Sequence, residues 1–121
     1  GVHPLDEEAA AAVRAADLVI NATPVGMGAQ DPSPIPQAWL HEGQVVLDMV
    51  YRPGSTALVR EAADAGATAL SGLGMLVAQG ALAVDIWAGA DRAQVRAPRD
   101  VMRSAAEAAM NHFSAPGEAE S

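Results

Sequence analysis

Three short apolar runs constrain this chain more than any other feature: Asp17-Leu-Val-Ile-Asn21, Gln44-Val-Val-Leu-Asp-Met49 and the weaker Ala67-Thr-Ala-Leu70. The first has the composition of a strand and is released into Asn21-Ala-Thr-Pro24, where a loop begins. The second is β-branched at its start and reads as a strand buried on both faces, as parallel strands between helices are. Residues 6–16 are alanine-rich, with Asp6, Glu7 and Glu8 where acidic groups favour a helix N-terminus, and predict a short helix. Gly26, Gly28, Pro32, Pro34 and Pro36 hold a loop between the first two strands, with room for one helical turn near residues 37–40. Ser55 or Thr56 can cap a helix running to residue 65, and Gly66 sits where a C-terminal cap needs positive φ. A nearly all-apolar helix over about 75–88, closed by Gly89, should be buried on most sides. A final amphipathic helix covers 91–113, begun or kinked at Pro98, and residues 114–121 form a polar tail expected to be disordered.

This order of elements fits an α/β layer: a parallel sheet of about three strands, right-handed crossovers, flanking helices and a C-terminal helix. Three strands are few for such a sheet, so residues 1–90 read as half of a doubly wound domain. Of the 121 residues 50% are hydrophobic, but 28 are alanine, which buries little area per residue. The core is therefore thin and expected to lean on a partner chain or on further sequence.

Composition also removes chemistries. All seven basic residues are arginine, so there is no lysine to act as base, Schiff base or phosphate clamp. The absence of cysteine removes disulfides, thiolate nucleophiles and cysteine-ligated metals, and is consistent with cytoplasm. His3, His41 and His112 are isolated, none with a partner at helical metal-pair spacing, so each reads as a surface or loop residue and no metal site is expected. A net charge of -8 with one basic cluster, residues 92–103, argues against nucleic acid, whose binding requires several phosphates to be neutralised together. The longest apolar stretch, residues 73–88, is broken by Gln79 and Asp85, and residues 1–8 lack a basic start, so neither a membrane span nor a signal peptide is expected.

In parallel sheets ligands bind beyond the carboxyl ends of the strands. The exits here are Asn21, Ala22 and Thr23, then Met49 and Tyr51, then Ser71 and Gly72. Small or amide residues there let a flat dinucleotide lie against backbone, Met49 offers a soft contact for an aromatic ring, and Tyr51 offers a hydroxyl. Ordinary turn chemistry also accounts for Asn21 and Thr23, and core filling for Met49. Gln79 interrupts an apolar stripe of Met75, Leu82 and Ile86, either as a buried amide satisfied by backbone or as a substrate contact. The G-x-G-x-x-G turn fails at Val77 for Gly72 and Gly74, and at Asp31 for Gly26 and Gly28, so no phosphate-cradling turn is present.

Three motifs carry a family resemblance: Asp17-Leu-Val-Ile-Asn-Ala-Thr-Pro-Val-Gly-Met27, Val46-Leu-Asp-Met-Val-Tyr51 with Pro53 and Thr56, and Gly72-Leu-Gly-Met-Leu-Val-Ala-Gln79 with Trp87 and Gly89. In order and spacing they closely resemble the C-terminal half of shikimate dehydrogenase. The resemblance implies a Rossmann-like, NADP-binding half-domain and an NADP-dependent reduction of 3-dehydroshikimate to shikimate in the cytoplasmic route to aromatic amino acids. It implies that Asn21, Ala22 and Thr23 flank the cofactor, that Met49 and Gly72 border the nicotinamide, and that Tyr51 and Gln79 reach the substrate. The family's catalytic Lys and Asp pair, its Gly-rich turn and its NADP-selecting basic residues have no counterpart here, and Ser71 stands where an aspartate is often found. The resemblance therefore implies no catalytic residue in this chain, which is expected to be inactive alone. Two alternatives stay open: a non-catalytic half-domain that assembles through an unmatched apolar face, as a homo-oligomer or with a separate chain, and a related dehydrogenase acting on quinate.

Overall fold

A computed structural model describes residues 5–89 and 96–114, the side chains of 112–114 excepted. The described residues form two units, one ending at Gly72 and one beginning at Leu73. In the first, helix α1 (Glu7–Ala15) is capped by Asp6, whose carboxylate accepts from the Ala9 amide at 3.0 Å. Strands β1 (Leu18–Asn21), β2 (Val45–Asp48) and β3 (Thr68–Ser71) form one parallel sheet in that order. The third strand starts one residue later than the sequence predicts, because the Ala67 amide is still bonded to Ala62 in the turn that ends helix α2 (Ala57–Asp64). Of the two capping candidates, Thr56 caps α2. Gly66 takes positive φ after the helix, and a single 3-10 turn forms at Gln37–Trp39.

Register decides what is buried. Val19, Val46 and Ala69 lie in line across the sheet and pack with Leu40, Leu58, Ala62 and Ala67 on one face. The other face carries Leu18, Ile20 and Leu70, all exposed, beside the half-buried Val45 and Leu47. Burial of β2 on both faces, expected from its composition, is therefore not observed: the helices and the 3-10 segment of this unit cover one face only.

At the entry to the sheet two side chains close the end of α1. The Gln44 amide, buried, donates to the Val13 and Ala16 carbonyls at 2.7 and 3.1 Å and accepts from the His41 amide. The exposed His41 ring places Nδ1 2.6 Å from the Glu42 carbonyl and Nε2 2.9 Å from the Arg14 carbonyl. The Arg14 and Ala16 carbonyls are among those left open at the C-terminus of the helix, and the Val13 carbonyl accepts from the Ala16 amide as well as from Gln44.

The second unit pairs α3 (Leu73–Trp87) with α4 (Arg99–Ser114). Gly80 lets the helices approach near Met102, and Asp85 accepts from the Ala97 amide and faces Arg99. Gly89 ends α3 with positive φ. Val77 and Ala81 are buried, whereas Met75, Leu82, Ile86 and Trp87 are exposed. The expectation of a helix buried on most sides thus fails, since its all-apolar composition cannot say how many neighbours cover it. The last helix begins after Pro98, and the expected start at 91–95 lies outside the described residues, as does the expected tail beyond Ser114.

Candidate functional site

The carboxyl ends of β1 and β2 open onto a cleft of about 510 Å³ lined by Ala22, Thr23, Pro24, Met27, Met49, Val50 and Tyr51. Four residues singled out from sequence, Ala22, Thr23, Met49 and Tyr51, line it together. Met49 and Tyr51 are 41% and 44% exposed, so neither is filling the core. No lining side chain is charged, which suits a flat ring better than a phosphate.

Beneath the cleft lies a polar network. Alternation along the strands turns Asn21 and Asp48, aligned in register, toward the same face as Val19 and Val46. There Asp48, fully buried, accepts from Asn21 Nδ2 at 2.9 Å and the Val50 amide at 3.0 Å through Oδ1, and from the Thr56 hydroxyl at 2.6 Å through Oδ2. Asn21 donates its second proton to the Val25 carbonyl at 3.0 Å, while its oxygen accepts from the Thr23 amide and hydroxyl at 3.0 and 2.7 Å. All four hydrogen-bonding positions of the Asn21 amide are thereby occupied, so this residue meets any ligand through backbone only.

The two loops bordering the cleft are tied further out. Asp31 accepts from the Gly26 and Gly28 amides, and Arg52 donates to the Gly28 and Ala29 carbonyls at 3.2 and 3.3 Å. Gly26 has φ +107°, which any other residue would adopt only under strain. Gly72, buried at the exit of β3, is packed against the backbone of Met49 and Asp48 and has no room for a side chain. Gln79 lies in the other unit, exposed on α3 with Met75, Leu82 and Ile86, so the buried-amide reading of this residue does not hold.

Sequence reasoning missed Asp48 as part of this site. Its signal was a carboxylate closing an apolar run, a residue type that is buried only with partners. Among the described residues no group of three or more His, Cys, Asp or Glu could hold a metal, and no helix is long and apolar enough to cross a membrane.

No protein-family model matches the chain. It is 49% identical over 102 residues to the shikimate dehydrogenase (NADP+) of Natronomonas pharaonis, covering 84% of this chain and 38% of that relative. With the shikimate dehydrogenase (NADP+) of Methanocella arvoryzae it shares 46% over 98 residues, 81% of this chain and 35% of the relative. Among solved structures, shikimate 5-dehydrogenase from Thermus thermophilus in complex with NADP(H) and shikimate aligns with a TM-score of 0.71 and 38% identity, over 88% of this chain and 37% of that one. Quinate dehydrogenase from Corynebacterium glutamicum in complex with NAD aligns at 0.68 and 30%, over 78% and 32%. The chain is thus homologous to the shikimate dehydrogenases over most of its length, and it spans about a third of the length of these curated relatives.

Proposed function

We propose that this chain supplies the nicotinamide-facing and part of the substrate-facing surface of an NADP-dependent shikimate dehydrogenase. The observation that carries the reading is the uncharged cleft at the β1 and β2 exits, lined by Ala22, Thr23, Met49 and Tyr51, in a chain homologous to these enzymes. Ala22 and the Asn21 and Thr23 backbone offer a surface that a flat ring can approach closely. Met49 contributes a polarizable apolar wall, and Gly72 keeps the exit of β3 against it. The cleft fits the ring end of a dinucleotide only, since the sequence contains no glycine-rich turn for the pyrophosphate. When bound, the nicotinamide would deliver hydride to the carbonyl carbon of 3-dehydroshikimate, or take it back from shikimate. Tyr51 and Gln79 are proposed to hydrogen-bond the substrate. No residue here is assigned the proton that accompanies the hydride, and the chain alone is proposed to be inactive.

The test is direct. NADPH added to the isotope-labelled chain should shift the amides of Ala22, Thr23, Val50 and Tyr51 saturably, and addition of 3-dehydroshikimate should cause no NADPH oxidation above the protein-free rate. Turnover comparable with a full-length enzyme would overturn the inactivity, and an unshifted cleft would overturn the site. A second reading, quinate as substrate, draws support from the quinate dehydrogenase neighbour. Tyr51 is the only tyrosine in the sequence, so its ring resonances report on shikimate and quinate separately. A larger response to quinate would favour that reading.

A further inference from the structure

We propose that Asp48 is a positioning residue: its carboxylate sets the spacing of the two loops between which the ring of the cofactor enters. The identity of the ligand rests on the functional reading above, while the positioning rests on geometry. One wall of the cleft is Ala22, Thr23 and Pro24, and the other is Met49, Val50 and Tyr51. The first wall hangs from Asn21, whose oxygen holds Thr23 by two bonds and whose nitrogen holds the Val25 carbonyl. Asn21 is in turn held by Asp48 Oδ1 across 27 residues. The second wall is held by the same oxygen through the Val50 amide. Oδ2 fixes the start of α2 through Thr56. One carboxylate therefore joins the exits of β1 and β2 to the start of α2.

A purely structural role would be served more cheaply. The three donors to Asp48 are all uncharged, and a carboxylate buried without a cation costs more than an apolar side chain of like volume. What the carboxylate gains is directional control of both walls at once. A ring-binding cleft depends on such control, since a displacement of about 1 Å can cost two orders of magnitude in function.

NADPH binding to the 121-residue chain, followed by the cleft amides, tests this in four proteins besides the parent. Asp48→Asn keeps the shape but removes one acceptor, and it should weaken binding by about tenfold or more at a temperature where its spectrum remains dispersed. Val13→Ala, in the core at the opposite end of the strands, serves as a control compared at equal fraction folded and should bind like the parent. Should Asp48→Asn fail to fold, Thr56→Val releases Oδ2 together with the cap of α2 and, compared at equal fraction folded, should weaken binding likewise, whereas Thr56→Ser retains the hydroxyl and the affinity. If the parent binds and the folded Asp48 or Thr56→Val variant binds equally, or if Val13→Ala loses affinity to the same degree, the positioning role is overturned while the functional reading stands. If the parent shows no cleft shifts, the functional reading falls and takes this inference with it.

Discussion

The carbonyl oxygen of Met49 occupies the space that a side chain on Gly72 would need. The contact is backbone against backbone, so no flexible side chain can yield to an added methyl group. Gly72→Ala should therefore push the exit of β3 away from β2 and cost about 1–3 kcal/mol, as overpacking does. A urea denaturation series should show a lowered midpoint with an unchanged slope, and a midpoint equal to the parent's would contradict the geometry.

Asn21 and Gln79 are both amides singled out from sequence, and they should behave oppositely. Removing the Asn21 side chain takes one donor from the buried Asp48 carboxylate and the shared partner from the exposed Thr23 and the half-buried Val25. Only the Asp48 side of the network is fully buried, so Asn21→Ala should cost about 1–3 kcal/mol, the penalty for a buried polar group left short of a partner. Gln79 is exposed, so Gln79→Ala should stay within about 0.5 kcal/mol of the parent. Thermal melts of the two variants side by side decide it.

His41 gives the fold a pH dependence of known sign. Hydrogen bonds to the Glu42 and Arg14 carbonyls raise its pKa above the ordinary 6.5 against an opposing effect of desolvation, and the nearby Glu42 charge adds a lesser upward push. Both ring nitrogens face acceptors, so only the imidazolium satisfies both. Because the folded pKa is the higher one, the stabilisation is fully present below the unfolded pKa and disappears as pH rises through the folded one. The difference in urea midpoint between the parent and His41→Ala should be largest at mildly acidic pH and shrink toward alkaline pH. A difference that grows with pH would refute the assignment.

Tyr51 stands half-exposed at the rim of the cleft. Tyr51→Phe should leave stability within about 0.5 kcal/mol and reduce the response of cleft amides to shikimate. An undiminished response would remove the hydroxyl from the substrate contacts.

The strands and their exits were legible in the sequence because apolar runs ending in small and turn-forming residues have a local cause. Asp48 was not, since its partners Asn21 and Thr56 lie 27 and eight residues away and only register brings them beneath one cleft. Composition likewise made α3 look enclosed, but Leu82, Ile86 and Trp87 show that an apolar residue is no promise of a neighbour. In Asn21 the sequence suggested a ligand contact; its occupied amide shows why residue type at a strand end does not tell which group faces outward.

That full occupancy of Asn21 separates the positions around the cleft into a frame and a facing. Asn21, Asp48, Thr56 and Gly72 answer to one another, and a change in one demands changes in the rest. Ala22, Met27, Met49 and Tyr51 answer to whatever enters. Libraries meant to alter the preferred ligand should therefore vary the second set and leave the first untouched, and natural drift in specificity should be found at the same places.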